Sequence, residues 1–127
     1  MSAVRNLRYH IVLVTKYRKK ALVDIASSVE EAVREAAVGS AFKVEDVAVE
    51  DGDHVHIVVR TTSTFSVDSM VKRIKQKTTW SLWELHSGEL SKFYWGPSRK
   101  LWSSGYYAGT VGEASLETIK KYLEKQR

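Results

Sequence analysis

The chain has 127 residues, 43% of them hydrophobic and 28% charged, and its 20 Lys and Arg outnumber 15 Asp and Glu by five. This length suits one globular domain spanning residues 1–127, and the absence of cysteine excludes disulfides, thiolate metal sites and a cysteine nucleophile. The basic excess favours a nucleic-acid partner. Because no apolar stretch has transmembrane length and the N-terminus lacks a signal-peptide pattern, we expect a cytoplasmic protein that is nucleoid-associated when bound to DNA, with no membrane contact.

The first half of the chain predicts three strands and a helix. Residues 9–14 form a β-branched, apolar run typical of a central strand, and a basic cluster follows it. Apolar residues at helical spacing predict a helix over residues 23–38 that ends at Gly39. Residues 42–49 predict a second strand, and Asp51-Gly52 is a hairpin turn signal that leads into a third strand over residues 53–59.

The second half predicts a longer helix, a last strand and a short terminal helix. Ser66 can cap a helix that runs to about Leu85. Its inner stripe consists of Val67, Val71, Ile74, Thr78, Leu82 and Leu85. Residues 105–112 predict a strand, and Ser115 caps the final helix. The order β-α-β-β-α-β indicates an α+β, ferredoxin-like (split β-α-β) fold, with an antiparallel sheet, helices on one face and an added C-terminal helix.

The third strand contains the triplet His54-Val55-His56. Side chains alternate across a strand, so the two imidazoles project side by side and can share a metal ion. Val55 and the apolar residues that follow should face the helices, which leaves the histidines on the opposite face. Asp53 should alternate away from the histidine face unless a bulge redirects it.

The terminal helix places Tyr122 and Gln126 four residues apart, hence one turn apart on one face. Taken alone, this tyrosine is more typical of packing than of catalysis. The same structural interpretation is favoured for other histidines and tyrosines, namely His10, His86, Tyr106 and Tyr107.

Five segments, in this order, resemble the single-tyrosine HUH (His-hydrophobe-His) transposases of the TnpA type, which move small insertion sequences as single-stranded DNA. These are Lys16-Tyr17-Arg18, Asp53-His54-Val55-His56, Leu101-Trp102-Ser103, Tyr107-Ala108-Gly109-Thr110-Val111-Gly112 and Tyr122-Leu123-Glu124-Lys125-Gln126. The resemblance covers essentially the whole chain.

The resemblance implies a mechanism and its residues. His54, His56 and Gln126 would bind a divalent cation, and Tyr122 would be the nucleophile. The enzyme would nick and rejoin single-stranded DNA at hairpin-bearing element ends through a covalent 5′-phosphotyrosine. A homodimer would form composite active sites in trans. The chain departs from the family by having Gly52 where a proline is expected before the aspartate.

The expected cofactor is Mg²⁺ or Mn²⁺, although imidazoles also accept zinc or nickel. Because two imidazoles and an amide carry no charge, we expect weak metal binding until DNA supplies phosphate oxygens.

DNA contacts and function leave alternatives open. The candidate phosphate contacts, which are solvated charges in the alternative interpretation, are Lys16, Arg18, Lys19, Lys20, Lys72, Arg73, Lys75 and Lys77. The four tryptophans could stack unpaired bases, but most are expected in the core. The alternatives to a transposase are a catalytically silent nucleic-acid-binding module of the same fold and a replication-initiator (Rep) or relaxase-like nickase.

Overall fold

A computed structural model describes residues 7–62 and 66–111 of the chain. Its strands and α-helices, in chain order, are β1 (Leu7–Val14), α1 (Ala26–Ala36), β2 (Phe42–Glu50), β3 (His54–Thr61), α2 (Val67–Leu90) and β4 (Tyr107–Thr110). The predicted order β-α-β-β-α-β is therefore confirmed. The predicted terminal helix, with Tyr122 and Gln126, lies outside the described residues.

The four strands form one antiparallel sheet in the order β2-β3-β1-β4. The register pairs Ile11 with Ile57 and Leu13 with Val55, and all four side chains are fully buried in the core. Alternation then directs His54 and His56 to the opposite face. The prediction of a ferredoxin-like α+β fold, with the histidines on the face away from the helices, is confirmed.

Helix α1 is shorter than predicted. Residues Val23–Ile25 form a 3-10 turn, and the α-helix ends at Ala36. Val23 and Val38, at the two ends of the predicted span, are exposed. Gly39 has φ +78°, which confirms the predicted stop because glycine takes this conformation without strain. The apolar residues whose helical spacing predicted this helix are all buried: Ile25, Val29, Ala32, Val33, Ala36 and Ala37.

Helix α2 begins as predicted, with the Ser66 hydroxyl accepting from the Ser69 amide, but it continues to Leu90. The prediction that Leu85 belongs to the buried stripe is wrong, since this side chain is 69% exposed and lines a shallow groove with Ser28. The backbone leaves helical geometry at His86, and Leu90 in the following turn is buried. His86 itself has a structural contact, because its Nε2 lies 2.8 Å from the hydroxyl of Ser28.

The segment between α2 and β4 contacts the basic loop that follows β1, which begins at Thr15. The Tyr94 hydroxyl donates to the carbonyl of Lys16 at 2.8 Å, and the backbone of Thr15 forms an isolated antiparallel β-bridge with that of Trp102. Inside the core, the indole nitrogen of Trp102 donates to the Thr78 hydroxyl at 2.9 Å. None of the helices in the described part of the chain is long and apolar enough to cross a membrane.

Candidate metal centre and nucleic-acid interface

The hairpin turn between β2 and β3 positions the histidine strand. Asp51 and Gly52 have φ values of +54° and +70°, and Glu50 pairs directly with His54 across the turn. Proline cannot replace Gly52, because its ring holds φ near −65°. A Cβ at Gly52 would also lie 2.2 Å from Cγ2 of Val23. The glycine that departs from the family pattern is therefore required by the conformation of this turn.

Glu50, His54 and His56 form a cluster on the sheet face opposite the helices. One ligand atom from each lies within 4.8 Å of the others. Oε2 of Glu50 lies 3.3 Å from Nε2 of His54 and also contacts Nε2 of His56. Sequence reasoning did not find Glu50. The Asp51-Gly52 turn signal could have found it, because this turn places the residue before it opposite His54.

Two further residues contact the Nδ1 atoms of the histidines, which face away from Glu50. Oδ1 of Asp53 lies 2.5 Å from Nδ1 of His54, and Nε2 of His10 lies 3.0 Å from Nδ1 of His56. The expectation that Asp53 points away from the histidine face is wrong, because Asp53 lies in the turn rather than in the strand. Contacts to the second nitrogen orient metal-binding histidines. Here they leave both Nε2 atoms directed at Glu50.

The charges of these groups suit a divalent cation. Burial lowers the pKa of His56, against the opposing effect of Glu50, and burial together with His56 lowers the pKa of His10. The imidazole of His56 is therefore neutral near pH 7, which is the form that binds metal, and the supporting imidazole of His10 is neutral as well. Burial acts to raise the pKa of Asp53, but hydrogen bonds from His54 and Lys20 outweigh it and lower that pKa. Two imidazole nitrogens and a carboxylate oxygen fit a divalent-metal site.

Several of the basic residues predicted to bind DNA have partners within the protein. Lys20 pairs with Asp53 at 3.1 Å and Lys72 with Asp68 at 3.3 Å. Arg73 donates to two carbonyls at the end of α1, and Lys75 to three carbonyls before β4. The other candidates lie at the surface or line clefts: Lys16, Arg18, Lys19 and Lys77.

The tryptophans divide into two pairs. Trp83 and Trp102 pack against or within the core, whereas Trp80 and Trp95 are 63% and 70% exposed. The expectation that most of the four lie in the core therefore holds for only two.

Each exposed tryptophan lines a cleft with basic side chains. Trp80 shares a cleft of about 470 Å³ with Lys16, Lys75, Arg99 and Lys100. Trp95 shares one of about 530 Å³ with Tyr17, Lys19 and Lys100. We call these two clefts, which share Lys100, the aromatic-basic surface. Sequence reasoning missed Arg99 and Lys100, which belong to neither of the basic runs in the chain.

Comparisons of sequence agree with this geometry. The family model described as "Transposase IS200 like" matches residues 3–126. The ISDra2 transposase TnpA of Deinococcus radiodurans is 29% identical over 97% of the chain and 86% of its own length. A transposase for the insertion sequence element IS200 from Salmonella typhimurium is 30% identical over 95% of the chain and 77% of its own length.

Two solved structures share the fold. A crystal structure from Deinococcus radiodurans R1, described as that of a candidate transposase, superposes with a TM-score of 0.77 at 26% identity, covering 100% of this chain and 95% of its own. A REP-associated tyrosine transposase bound to a REP hairpin gives a TM-score of 0.62 at 10% identity, covering 99% of this chain and 68% of its own. At that lower identity, the likeness concerns the fold alone.

Proposed function

Because the chain belongs to the IS200-like transposase family, we propose that it nicks and rejoins single-stranded DNA at hairpin-bearing element ends. In this proposal Tyr122 is the nucleophile, and His54, His56 and Gln126 hold a divalent cation. The observation that carries the proposal is that the Nε2 atoms of two imidazoles converge on one sheet face, while the Nδ1 atom of each ring contacts another side chain.

The reaction is a transesterification. The phenol of Tyr122 loses its proton, and its oxygen bonds to the scissile phosphorus while the bond from phosphorus to the 3′ oxygen breaks. The leaving 3′ oxygen takes up a proton, which leaves a 5′-phosphotyrosine and a free 3′-hydroxyl. A phenol with the usual pKa of about 10 is ionised in only about one molecule in a thousand near pH 7. A bound Mg²⁺ or Mn²⁺ would supply Lewis-acid stabilisation of charge on the phosphate. Since the phosphotyrosine keeps the bond energy, attack by another 3′-hydroxyl rejoins DNA without ATP.

The comparisons support the parts of the proposal that lie outside the described residues. The family match extends to residue 126 and so includes Tyr122 and Gln126. The hairpin substrate is supported by a structural relative whose own ligand is a REP hairpin. We further propose a homodimer in which the tyrosine helix of one subunit completes the histidine site of the other, acting on DNA in the cytoplasm.

The aromatic-basic surface is the proposed contact for DNA. Its exposed indoles suit unpaired bases, because stacking on an aromatic side chain tolerates any base. The lysines and Arg99 beside them suit the phosphates, which position a strand without specifying its sequence. Lys16, Lys19 and Lys75 are the predicted DNA-binding residues that line this surface.

Incubation with a labelled hairpin oligonucleotide that carries single-stranded flanks, with Mg²⁺ or Mn²⁺, tests the proposal. We expect a covalent protein–DNA adduct that Tyr122→Phe abolishes and Tyr106→Phe, a surface control, retains. His56→Ala should remove cleavage while hairpin affinity, measured by fluorescence anisotropy, stays close to that of the wild type.

The other outcomes distinguish the alternatives. Hairpin binding without any adduct in the wild-type chain would identify a silent binding module. An adduct that persists in Tyr122→Phe would overturn the assignment of the nucleophile. Cleavage at an undiminished rate in His56→Ala would overturn the assignment of the metal ligands.

A further inference from the structure

Glu50 is a buried carboxylate in an unusual position. It is the last residue of β2, it is only 6% exposed, and its Oε2 contacts the Nε2 atoms of both His54 and His56. A buried carboxylate is costly unless it is paired, hydrogen-bonded or bound to a metal ion. Its surroundings therefore indicate what it does.

One role for a carboxylate beside a metal-binding histidine is to orient the ring through the nitrogen that does not bind metal. In this site those nitrogens have other partners, because Nδ1 of His54 is held by Asp53 and Nδ1 of His56 by His10. Glu50 lies instead at the two Nε2 atoms, on the side where the cation would bind. Its position is that of a ligand rather than of a support.

Resting on the proposed function, we propose that Glu50 is a further protein ligand of the divalent cation, beside His54, His56 and Gln126, and that the site takes up metal before DNA binds. The carboxylate supplies a negative charge that the two imidazoles lack, and oxygen is the donor that Mg²⁺ and Mn²⁺ favour. The expectation that metal binds weakly until DNA supplies phosphate was built on neutral ligands alone. Glu50 changes that charge balance.

The hairpin positions all three groups without help from a distant segment. Glu50 pairs with His54 across the three-residue turn, and Ala48 pairs with His56. The ligands therefore approach one another as soon as β2 and β3 pair. Metal uptake by this cluster requires neither the terminal helix nor a second subunit.

The test is Mn²⁺ binding to the full chain without DNA, after removal of metal with a chelator, measured by isothermal titration calorimetry and Mn²⁺ electron paramagnetic resonance. We expect one Mn²⁺ per chain and at least about tenfold weaker binding in Glu50→Gln. Glu45→Gln removes the same charge from the same strand, where Glu45 pairs with Arg8 at 2.8 Å. This control should bind Mn²⁺ like the wild type.

Two outcomes with the variants would contradict the proposal. If His56→Ala loses Mn²⁺ but Glu50→Gln binds it like the wild type, Glu50 is not a ligand and the histidine site survives. If neither variant changes Mn²⁺ binding, the metal-site assignment in the proposed function fails as well.

If Glu50→Gln does not fold, Mn²⁺ binding to the wild-type chain still tests the proposal. Absence of any Mn²⁺ binding at millimolar concentration without DNA, followed by binding when hairpin DNA is added, overturns early metal uptake.

Discussion

Replacing Gly52 by alanine tests how the hairpin turn positions the candidate ligands. The alanine would have to adopt φ near +70°, which costs an L-residue about 1–2 kcal/mol. Its Cβ would also meet Cγ2 of Val23 at 2.2 Å and the backbone nitrogen of Val23 at 3.3 Å. Overpacking of this kind adds about 1–3 kcal/mol. We therefore expect Gly52→Ala to lower the free energy of unfolding by about 2–5 kcal/mol.

Gly39 provides a matched control. It has φ +78°, but an added Cβ would meet nothing within 4 Å. Gly39→Ala should therefore cost only the backbone part, about 1–2 kcal/mol. In the double variant Val23→Ala/Gly52→Ala, removal of the valine methyl groups should recover most of the steric part. Val23 is 60% exposed, so Val23→Ala alone should change stability by less than about 0.5 kcal/mol.

Equilibrium unfolding in urea measures these differences. With a slope of about 1–3 kcal/mol per molar urea, a loss of about 2–5 kcal/mol in Gly52→Ala should move the midpoint by about 0.7 M or more. Mn²⁺ affinity should fall with it, because the same turn pairs Glu50 with His54. Equal losses for Gly39→Ala and Gly52→Ala, or no recovery in the double variant, would refute the steric argument.

Three further predictions concern the core, pH and DNA. Thr78→Val leaves the buried indole N–H of Trp102 without its acceptor and should cost about 1–3 kcal/mol in urea unfolding, whereas Thr78→Ser should stay near the wild type. In metal-free protein the pKa values of His10 and His56 are lowered, so below about pH 6.5 the unfolded chain binds more protons than the folded chain does. The free energy of unfolding should therefore fall as the pH falls, by up to about 2.7 kcal/mol per pH unit. A flat profile between pH 5 and 6.5 would contradict this. Trp95→Ala should weaken binding of a single-stranded flank about 5- to 150-fold with an unchanged salt slope, whereas Lys100→Gln should reduce that slope. Unchanged affinity in both variants would remove this surface from the DNA interface.

Local patterns in the sequence determined much of the fold. Alternation along residues 53–59 placed the two histidines on one face, and the turn signal at Asp51-Gly52 located the hairpin. The helical stripe of α1 and the cap at Ser66 identified which residues enter the core. These features depend on neighbours within a few residues, so periodicity and turn chemistry reveal them.

The tertiary structure decided which groups meet around the histidines. His10 lies 46 residues before His56, and only the pairing of β1 with β3 brings Nε2 of His10 to 3.0 Å from Nδ1 of His56. Glu50 reaches the site through the register of the β2–β3 hairpin, and Asp53 enters it because the turn extends one residue further than predicted.

The tertiary structure also decided which basic and aromatic residues have partners within the protein and which remain exposed. Arg73 caps α1, Lys75 fastens the loop before β4, and Trp80 and Trp95 remain exposed beside other cations. A charge or an indole has the same appearance in the sequence whether it faces solvent, a carbonyl or the core. Strand and helix periodicities are properties of short segments, whereas register and packing depend on residues far apart in the chain; the sequence therefore identified the histidine pair, and only the folded chain assembled the site around it.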